Sequence, residues 1–413
     1  MITKPSLVDE VDSLYKLRQD LVDDPYPLLH RLRDEAPVLL RNDVATITRY
    51  KDIETVLREA KLFSAGRYDS PRIKAIADGM IPEARATFQR VVDYQKQWMS
   101  AFDPPGHTRL RMIVHKVFTP RRVAEMRPRI EEITNRIVGE IRDRDRIEIV
   151  HDFAYGLPLY VIASMLGAPP EDWENIRNWS GALATFQGTM YRNHAEVAAA
   201  LDSFNAYVHD LIEARRKTEH TDLLAALLAA EVEGDRLSTQ ELEAMFVLLL
   251  FAGHETTTNL ISNGLYRLVT HPDQLELLKA DPTLIVNAVE ELLRYDTNVS
   301  MIDRVAADDI KLTDTVVPKG TAVFAWISAA NRDPSHFERP DELDITRKDN
   351  RHLGFSIGPH YCLGQALARM EAQVAIGTFV KEFGNFQLVP GEELHWRKNL
   401  QQRRINAVPV TLN

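Results

Sequence analysis

Cys362, the only cysteine of the chain, lies in Phe355-Ser356-Ile357-Gly358-Pro359-His360-Tyr361-Cys362-Leu363-Gly364. Directly after it Leu363, Ala366, Leu367, Met370, Val374 and Phe379 recur at helical spacing. A glycine-bounded loop therefore runs into a helix. A thiolate there would face free backbone N–H groups and the positive end of the helix dipole. Gly358 and Gly364 allow a tight bend and a close approach to a flat ligand. A lone cysteine can equally be a buried structural thiol, so its neighbours must decide.

Three other places combine reactive types at useful spacing. The apolar run Leu248-Leu249-Leu250-Phe251-Ala252 gives way to Gly253-His254-Glu255-Thr256-Thr257. A glycine costs about 1 kcal/mol inside a helix, and a carboxylate beside an apolar run is costly unless partnered. Thr256 follows Ala252 by one helical turn. Its hydroxyl can bond backward to that carbonyl, or compete with the helical ladder and open it. Broken rules at one spot point to a functional site; an emerging solvent face with a tolerated glycine reads the same way. Asp103-Pro104-Pro105-Gly106-His107-Thr108-Arg109-Leu110-Arg111 starts a helix with His107 and Arg111 on one face, where they could hold carboxylates or meet solvent. Glu291-Leu292-Leu293-Arg294 pairs opposite charges at a spacing common among solvated pairs.

Together these stretches resemble the cytochrome P450 superfamily, in the expected order from about Asp24 to the C-terminus. Phe355, Gly358, His360, Cys362 and Gly364 match its haem-binding loop, with Ser356 where glycine is common. His107 and Arg111 match the segment that holds one haem propionate, and Arg304 in Asp303-Arg304-Val305-Ala306 the one that pairs with the other. Ala252-Gly253-His254-Glu255-Thr256-Thr257 resembles the oxygen-binding groove, with Glu255 as the acid, where many members carry Asp, and Thr256 as the alcohol. Glu291 and Arg294 would form a buried pair that locks the meander before the haem loop, with Arg347 joining it.

The resemblance implies a mainly α fold with a small β portion. It would be a single domain over 1–413, with haem b (iron protoporphyrin IX) between the long central helix and the cysteine-loop helix. Cys362 would ligate the iron as thiolate, favouring O–O cleavage of bound dioxygen. Ala252, Gly253, Phe355, Gly358 and Gly364 would contact the haem, and His107, Arg111, Arg304 and His360 would neutralise its propionates. Thr256 and Glu255 would orient water and relay protons. The implied reaction is hydroxylation or epoxidation of an apolar small molecule, a secondary metabolite such as a polyketide. No Gly-x-Gly-x-x-Gly unit for a flavin or nicotinamide is present. Electrons would then come from a separate ferredoxin or flavodoxin with an NAD(P)H-dependent reductase, docking near Arg109, Lys116, Arg121, Arg122 or Arg351. A peroxide-driven or non-redox haem enzyme, or a haem-based binding or sensor protein, are the alternatives. The intact Glu255-Thr256 pair argues against the peroxide route, and no appended signalling segment supports a sensor.

These groups need a scaffold. Ser238-Thr239-Gln240-Glu241 is a capping box. The helix it opens can run to Thr270-His271-Pro272, roughly 45–50 Å at 1.5 Å per residue. Asp24-Pro25-Tyr26-Pro27 opens a helix that Pro37 ends. Strand signals lie at 38–40, 45–48, 310–312, 315–317, 322–325, 386–389 and 407–411. Helices between 120 and 234 should break at Gly167-Ala168-Pro169-Pro170, near Gly188 and at 219–221. Poor periodicity over 63–100, with Gly66, Pro71, Gly79 and Pro82 as breakers, predicts a long irregular segment. Regions 64–100 and 180–197 are expected to form a substrate lid. Met99, Phe186, Met190, Leu249, Ala252, Val299, Met301 and Ile302 are expected to wall the pocket.

The 413 residues exceed what one core usually supports, yet no linker, repeat or low-complexity tract divides them. A net charge of −10 argues against general nucleic-acid binding. The acidic N-terminus has no apolar core, and the strongest apolar run, 245–253, falls short of the ~20 residues of a membrane span. A soluble, cytoplasmic protein without a membrane anchor is the expectation.

Overall fold

In the computed structural model of the protein, the capping box closes in both directions. The Ser238 amide donates to Glu241 Oε2 at 2.8 Å, and the Glu241 amide donates to Ser238 Oγ at 3.2 Å. From it one helix runs unbroken over Thr239–Thr270. The structure describes residues 6–412, except 187, 218–221 and 233; the break expected at 219–221 lies outside the described residues. Among the described residues this helix is long and apolar enough to cross a membrane, but 72% of its most apolar window is buried inside the protein. Its apolar residues are used in packing, against the helices Gly156–Met165, Trp173–Leu183, His194–Arg215, Ile285–Tyr295 and Gln365–Glu382. The long helix thus forms the axis of the main core.

A five-stranded sheet flanks this bundle. Its strands are β1 (Val38–Arg41), β2 (Val44–Ile47), β3 (Phe63–Ser64), β4 (Met301–Ala306) and β5 (Ala322–Trp326), ordered β1-β2-β5-β4-β3. Only the β2–β5 pair is parallel. A smaller core fills the space between the sheet and the helix Tyr50–Arg58. Register sets Arg304 opposite Val323 and Met301 opposite Trp326. The terminal strands are shorter than expected: Gln387–Leu388 and Pro409–Thr411, completed by Arg146–Glu148.

The segment 63–100 is not irregular. Helices occupy Pro71–Asp78 and Pro82–Gln95. Both prolines sit at the first helical position, where a missing N–H is harmless and the fixed φ suits the helix. Ser70 caps the first helix by accepting from the Ile73 amide. The second segment does break. Helix Trp173–Leu183 ends, turns follow in which Met190 and Tyr191 take φ of 56° and 66°, and helix His194–Arg215 begins.

Candidate active site

The cysteine loop is pinned at both ends of its bend. The Cys362 amide donates to the Phe355 carbonyl at 2.9 Å. Gly358 takes φ +70°, and a Cβ there would lie 2.7 Å from the Leu57 carbonyl oxygen. That glycine therefore serves the close packing of the loop on helix Tyr50–Arg58. Gly364 precedes helix Gln365–Glu382 and has open space where a Cβ would stand, on the wall of a cavity. Burial pushes the Cys362 thiol up, while the Gly364 amide and the charges of Arg111 and Arg369 pull it back.

The cavity lies between this loop and the long helix. Leu249, Ala252, Gly253 and Thr256 line it from the helix, Asn298, Val299 and Ile302 from the chain entering β4, and Phe355, His360, Cys362, Leu363 and Gly364 from the loop. Thr256 donates its hydroxyl to the Ala252 carbonyl at 2.7 Å, so the helix stays closed. Asn298 Nδ2 donates to the Thr256 carbonyl at 2.7 Å. Gly253 also lets helix Gly156–Met165 approach, since a Cβ would stand 3.1 Å from Ile162.

Glu255 is fully buried but is not part of the cavity wall. Its Oε2 accepts from Arg404 Nη1 at 3.1 Å. A different carboxyl group reaches the wall. Glu371, on the cysteine-loop helix, is buried, its Oε1 has no hydrogen-bond partner among the described residues, and burial holds it well above the usual carboxylate range against a hydrogen bond from Thr257. No motif marked Glu371; its place on the helix face nine residues after Cys362 was the available signal.

The five expected wall positions from the long helix and from the chain at the start of β4 divide four to one by geometry. Leu249, Ala252, Val299 and Ile302 face the cavity, whereas Met301 is buried in the core, because neighbours on a strand point to opposite faces. Met99, Phe186 and Met190 do not line it either. Phe186 is fully buried against Phe88 and Tyr191, at ring distances of 6.0 and 5.0 Å.

At the cavity's edge basic groups distant in sequence converge. The rings of His107 and His360 lie 4.2 Å apart, and Arg111 Nη2 donates to the Tyr361 carbonyl at 2.6 Å. Burial and the charges of Arg111 and Arg304 lower His107 to about 4. Burial, then Arg304, His107, Arg67 and Arg111, lower His360 to about 2. Arg304 is buried and, with Arg67 nearby, falls to about 10. Arg67, a member that sequence reasoning missed, lies 3.5 Å from Asp303. His360 Nε2 is buried without a hydrogen-bond partner among the described residues. A group of basic side chains that lower one another's basicity is built to receive anionic charge.

Behind the loop, Glu291 and Arg294 form a fully buried pair with two contacts of 2.8 Å. Arg347 Nε adds contacts of 3.2 and 3.1 Å to the same carboxylate, and Asn350 one of 3.0 Å. Arg294 donates onward to the carbonyls of Asn331, Pro340 and Glu342. Of the expected docking cations, Arg109 is tied to Asp235 and Glu241, Arg121 to Glu125 and Arg351 to Asp349.

Residues 170–403 match the family model described as Cytochrome P450. The chain belongs to the cytochrome P450 family. Cytochrome P450 107B1 of Saccharopolyspora erythraea is 37% identical over 97% of this chain and 98% of its own length. The polyketide biosynthesis cytochrome P450 PksS of Bacillus subtilis is 35% identical over 94% and 96%. Its solved structure superposes with a TM-score of 0.86, covering 96% of this chain and 99% of its own. The crystal structure of P450BioI in complex with a hexadec-9Z-enoic acid-ligated acyl carrier protein gives 0.87, at 32% identity over 96% and 99%. The protein is a cytochrome P450 monooxygenase. The family carries a haem-thiolate group, and the residues here fit it: a single thiol on the cavity wall, and an edge of basic groups with an unpartnered buried imidazole nitrogen.

Proposed function

We propose that this P450 holds haem b through the Cys362 thiolate and hydroxylates or epoxidises an apolar secondary metabolite, a polyketide or a related acyl chain, in the cytoplasm. The observation that carries the reading is the shared cavity of Cys362 and Thr256, one from the loop and one from the long helix. When bound, a thiolate-ligated haem supplies activation of dioxygen. His107, Arg111, Arg304 and His360 would hold its propionates, and Ala252 and Gly253 would contact it. Leu249, Val299 and Ile302 exclude water and hold apolar substrate. Thr256 offers a hydroxyl that can hold a water or pass a proton at the cavity wall, and Glu255 supplies acid from behind it. The reaction places one oxygen atom in the product and the other in water, consuming two electrons and two protons. We read residues 1–413 as one domain serving this site.

Electrons come from a ferredoxin or flavodoxin with its NAD(P)H-dependent reductase. The proposed docking face is the groove lined by Arg111, Met112, His115 and Lys116 beside Gly358 and Pro359, where Met112 is 46% exposed. The polyketide role in the name of PksS and the acyl-ligated carrier protein in the P450BioI complex support the substrate class.

Reduced protein under carbon monoxide should show the red-shifted Soret band of a thiolate-ligated haem, and Cys362→Ala should lose it. A variant that keeps the band overturns the ligation. Oxidation of a candidate substrate with NADPH, ferredoxin and reductase, but not with peroxide alone, supports the monooxygenase route over a peroxide-driven one.

A further inference from the structure

Glu255 and Thr256 are adjacent on one helix, so their side chains leave it about 100° apart. Thr256 faces the cavity, while Glu255 faces the C-terminal segment. Its Oε2 is bound by Arg404, and its Oε1 lies 3.5 Å from where a Cβ on Gly181 would stand. Tyr155, His254, Arg177 and Arg397 surround this pair. The ring of His254 meets that of Tyr155 edge-on at 4.4 Å, and the Arg177 guanidinium lies over the Tyr155 ring at 4.4 Å. Among the described residues Arg404 Nε is buried without a hydrogen-bond partner, and the side chain's bond runs from Nη1 to Glu255.

Arg404 also belongs to a strap that touches the other parts of the site. The strap folds on itself where the Arg397 amide donates to the Arg404 carbonyl at 2.8 Å. The Leu400 amide donates to the Gly188 carbonyl at 3.0 Å, and Asn399 Nδ2 to the Ala184 carbonyl at 3.0 Å, in the turn region before helix His194–Arg215. On the other side the Gln401 carbonyl accepts from the Ser300 amide at 2.8 Å, and the Arg403 amide donates to Asn298 at 2.9 Å. Asn298 in turn holds the Thr256 carbonyl. Eight residues, 397–404, therefore bridge that turn, the floor of the cavity and the acid behind the long helix.

We propose that Arg404 is a positioning residue of the proton relay, holding Glu255 in its place outside the cavity and tying that place to Ala184 and Gly188 in the turn region before helix His194–Arg215. This rests on the reading of Glu255 as the relay acid. Because Arg404 and Glu255 act as one unit, their substitutions combine non-additively.

The test uses haem-loaded protein with Arg404→Gln, Arg404→Lys, Glu255→Gln and the double variant Glu255→Gln/Arg404→Gln. NADPH oxidation is driven by a ferredoxin and its reductase, and peroxide released per NADPH is counted without added substrate. Arg404→Gln should keep haem content and the carbon monoxide band, raise amide exchange in peptides 184–193 and 250–258, and change the peroxide fraction about threefold or more. Arg404→Lys should restore most of both. In the Glu255→Gln background Arg404→Gln should add nothing to the peroxide fraction. If Glu255→Gln alone leaves that fraction unchanged, the relay reading falls and this inference with it. If Glu255→Gln acts but Arg404→Gln does not, or the two effects simply add, Arg404 has no positioning role and only this inference falls.

Discussion

Thr256 donates its hydroxyl to the Ala252 carbonyl at 2.7 Å, one turn back along a helix that remains hydrogen-bonded throughout. The bond directs the oxygen atom along the cavity wall and spares the helix an opening. Thr256→Ala removes one side-chain hydroxyl from a position where alanine is the better helix former by roughly half a kcal/mol. Stability should therefore hold or rise slightly. Positioned proton transfer commonly contributes 10²–10⁴-fold. Water can replace part of it, so product per NADPH should fall about tenfold, with peroxide rising. Unchanged product per NADPH would remove Thr256 from the relay.

Much of this site was legible because its parts are local. The capping box and the His271-Pro272 stop bounded the long helix, and the glycine-bounded loop located Cys362. Glu291 and Arg294 were legible only through family resemblance. As a bare spacing they match any solvated pair, and their burial depends on carbonyls of Asn331, Pro340 and Glu342 far along the chain. Pro71 and Pro82 read as breakers because a proline at the first helical position looks the same in sequence as one that stops a helix. Arg404 and Arg67 were not legible at all. Their partners, Glu255 and Asp303, are joined to them by tertiary packing with no local pattern.

Ser356 adopts φ 58°, a left-handed conformation that costs a residue with a Cβ on the order of 1 kcal/mol. Among the described residues its hydroxyl makes only a 3.5 Å contact to the Ile357 carbonyl. Ser356→Gly should relieve the backbone with little lost, raising stability by at most about 0.5 kcal/mol once the extra freedom glycine gains when unfolded is subtracted. Ser356→Val should do the opposite. Chemical denaturation of the haem-loaded protein measures both, and a glycine variant weaker than wild type would show that the serine side chain is needed in the loop.

Glu290 joins the helix before the cysteine loop to the helix after it. It accepts from His352 Nε2 at 3.1 Å and from Arg369 at 2.6 and 2.9 Å. Burial opposes its charge, but the hydrogen bonds from His352 and Arg369 outweigh it and hold the carboxyl down at about 2, from 4.5. A carboxyl depressed on folding contributes stability above its unfolded value, and loses it as pH falls through the folded one. The loss should thus develop between about pH 4.5 and 2, with ~3 kcal/mol as an upper bound. Glu290→Gln should be less stable than wild type at pH 6 and nearly equal to it near pH 2. A stability gap that does not narrow on acidification would show that the pair contributes little.

The cavity wall and the turn at 184–191 should respond differently to truncation. Leu249 and Ile302 line the cavity, whereas Phe186 is fully buried among Phe88 and Tyr191. An imidazole bearing a long alkyl chain separates the two roles: its nitrogen seeks the iron and its tail samples the apolar wall. Leu249→Ala or Ile302→Ala removes apolar surface worth about 1.5–3 kcal/mol when fully buried. With part of that realised, each should weaken the long-chain ligand by about tenfold while scarcely altering unsubstituted imidazole. Phe186→Ala should leave both affinities near wild type and cost about 3–5 kcal/mol of stability, as loss of a core aromatic does. Titrations of the ferric spectrum and denaturation curves report the two quantities separately. If Phe186→Ala instead weakens the long-chain ligand while Leu249→Ala does not, the substrate lies against the turn, as the sequence first indicated, and the wall formed by the long helix is not where specificity is set.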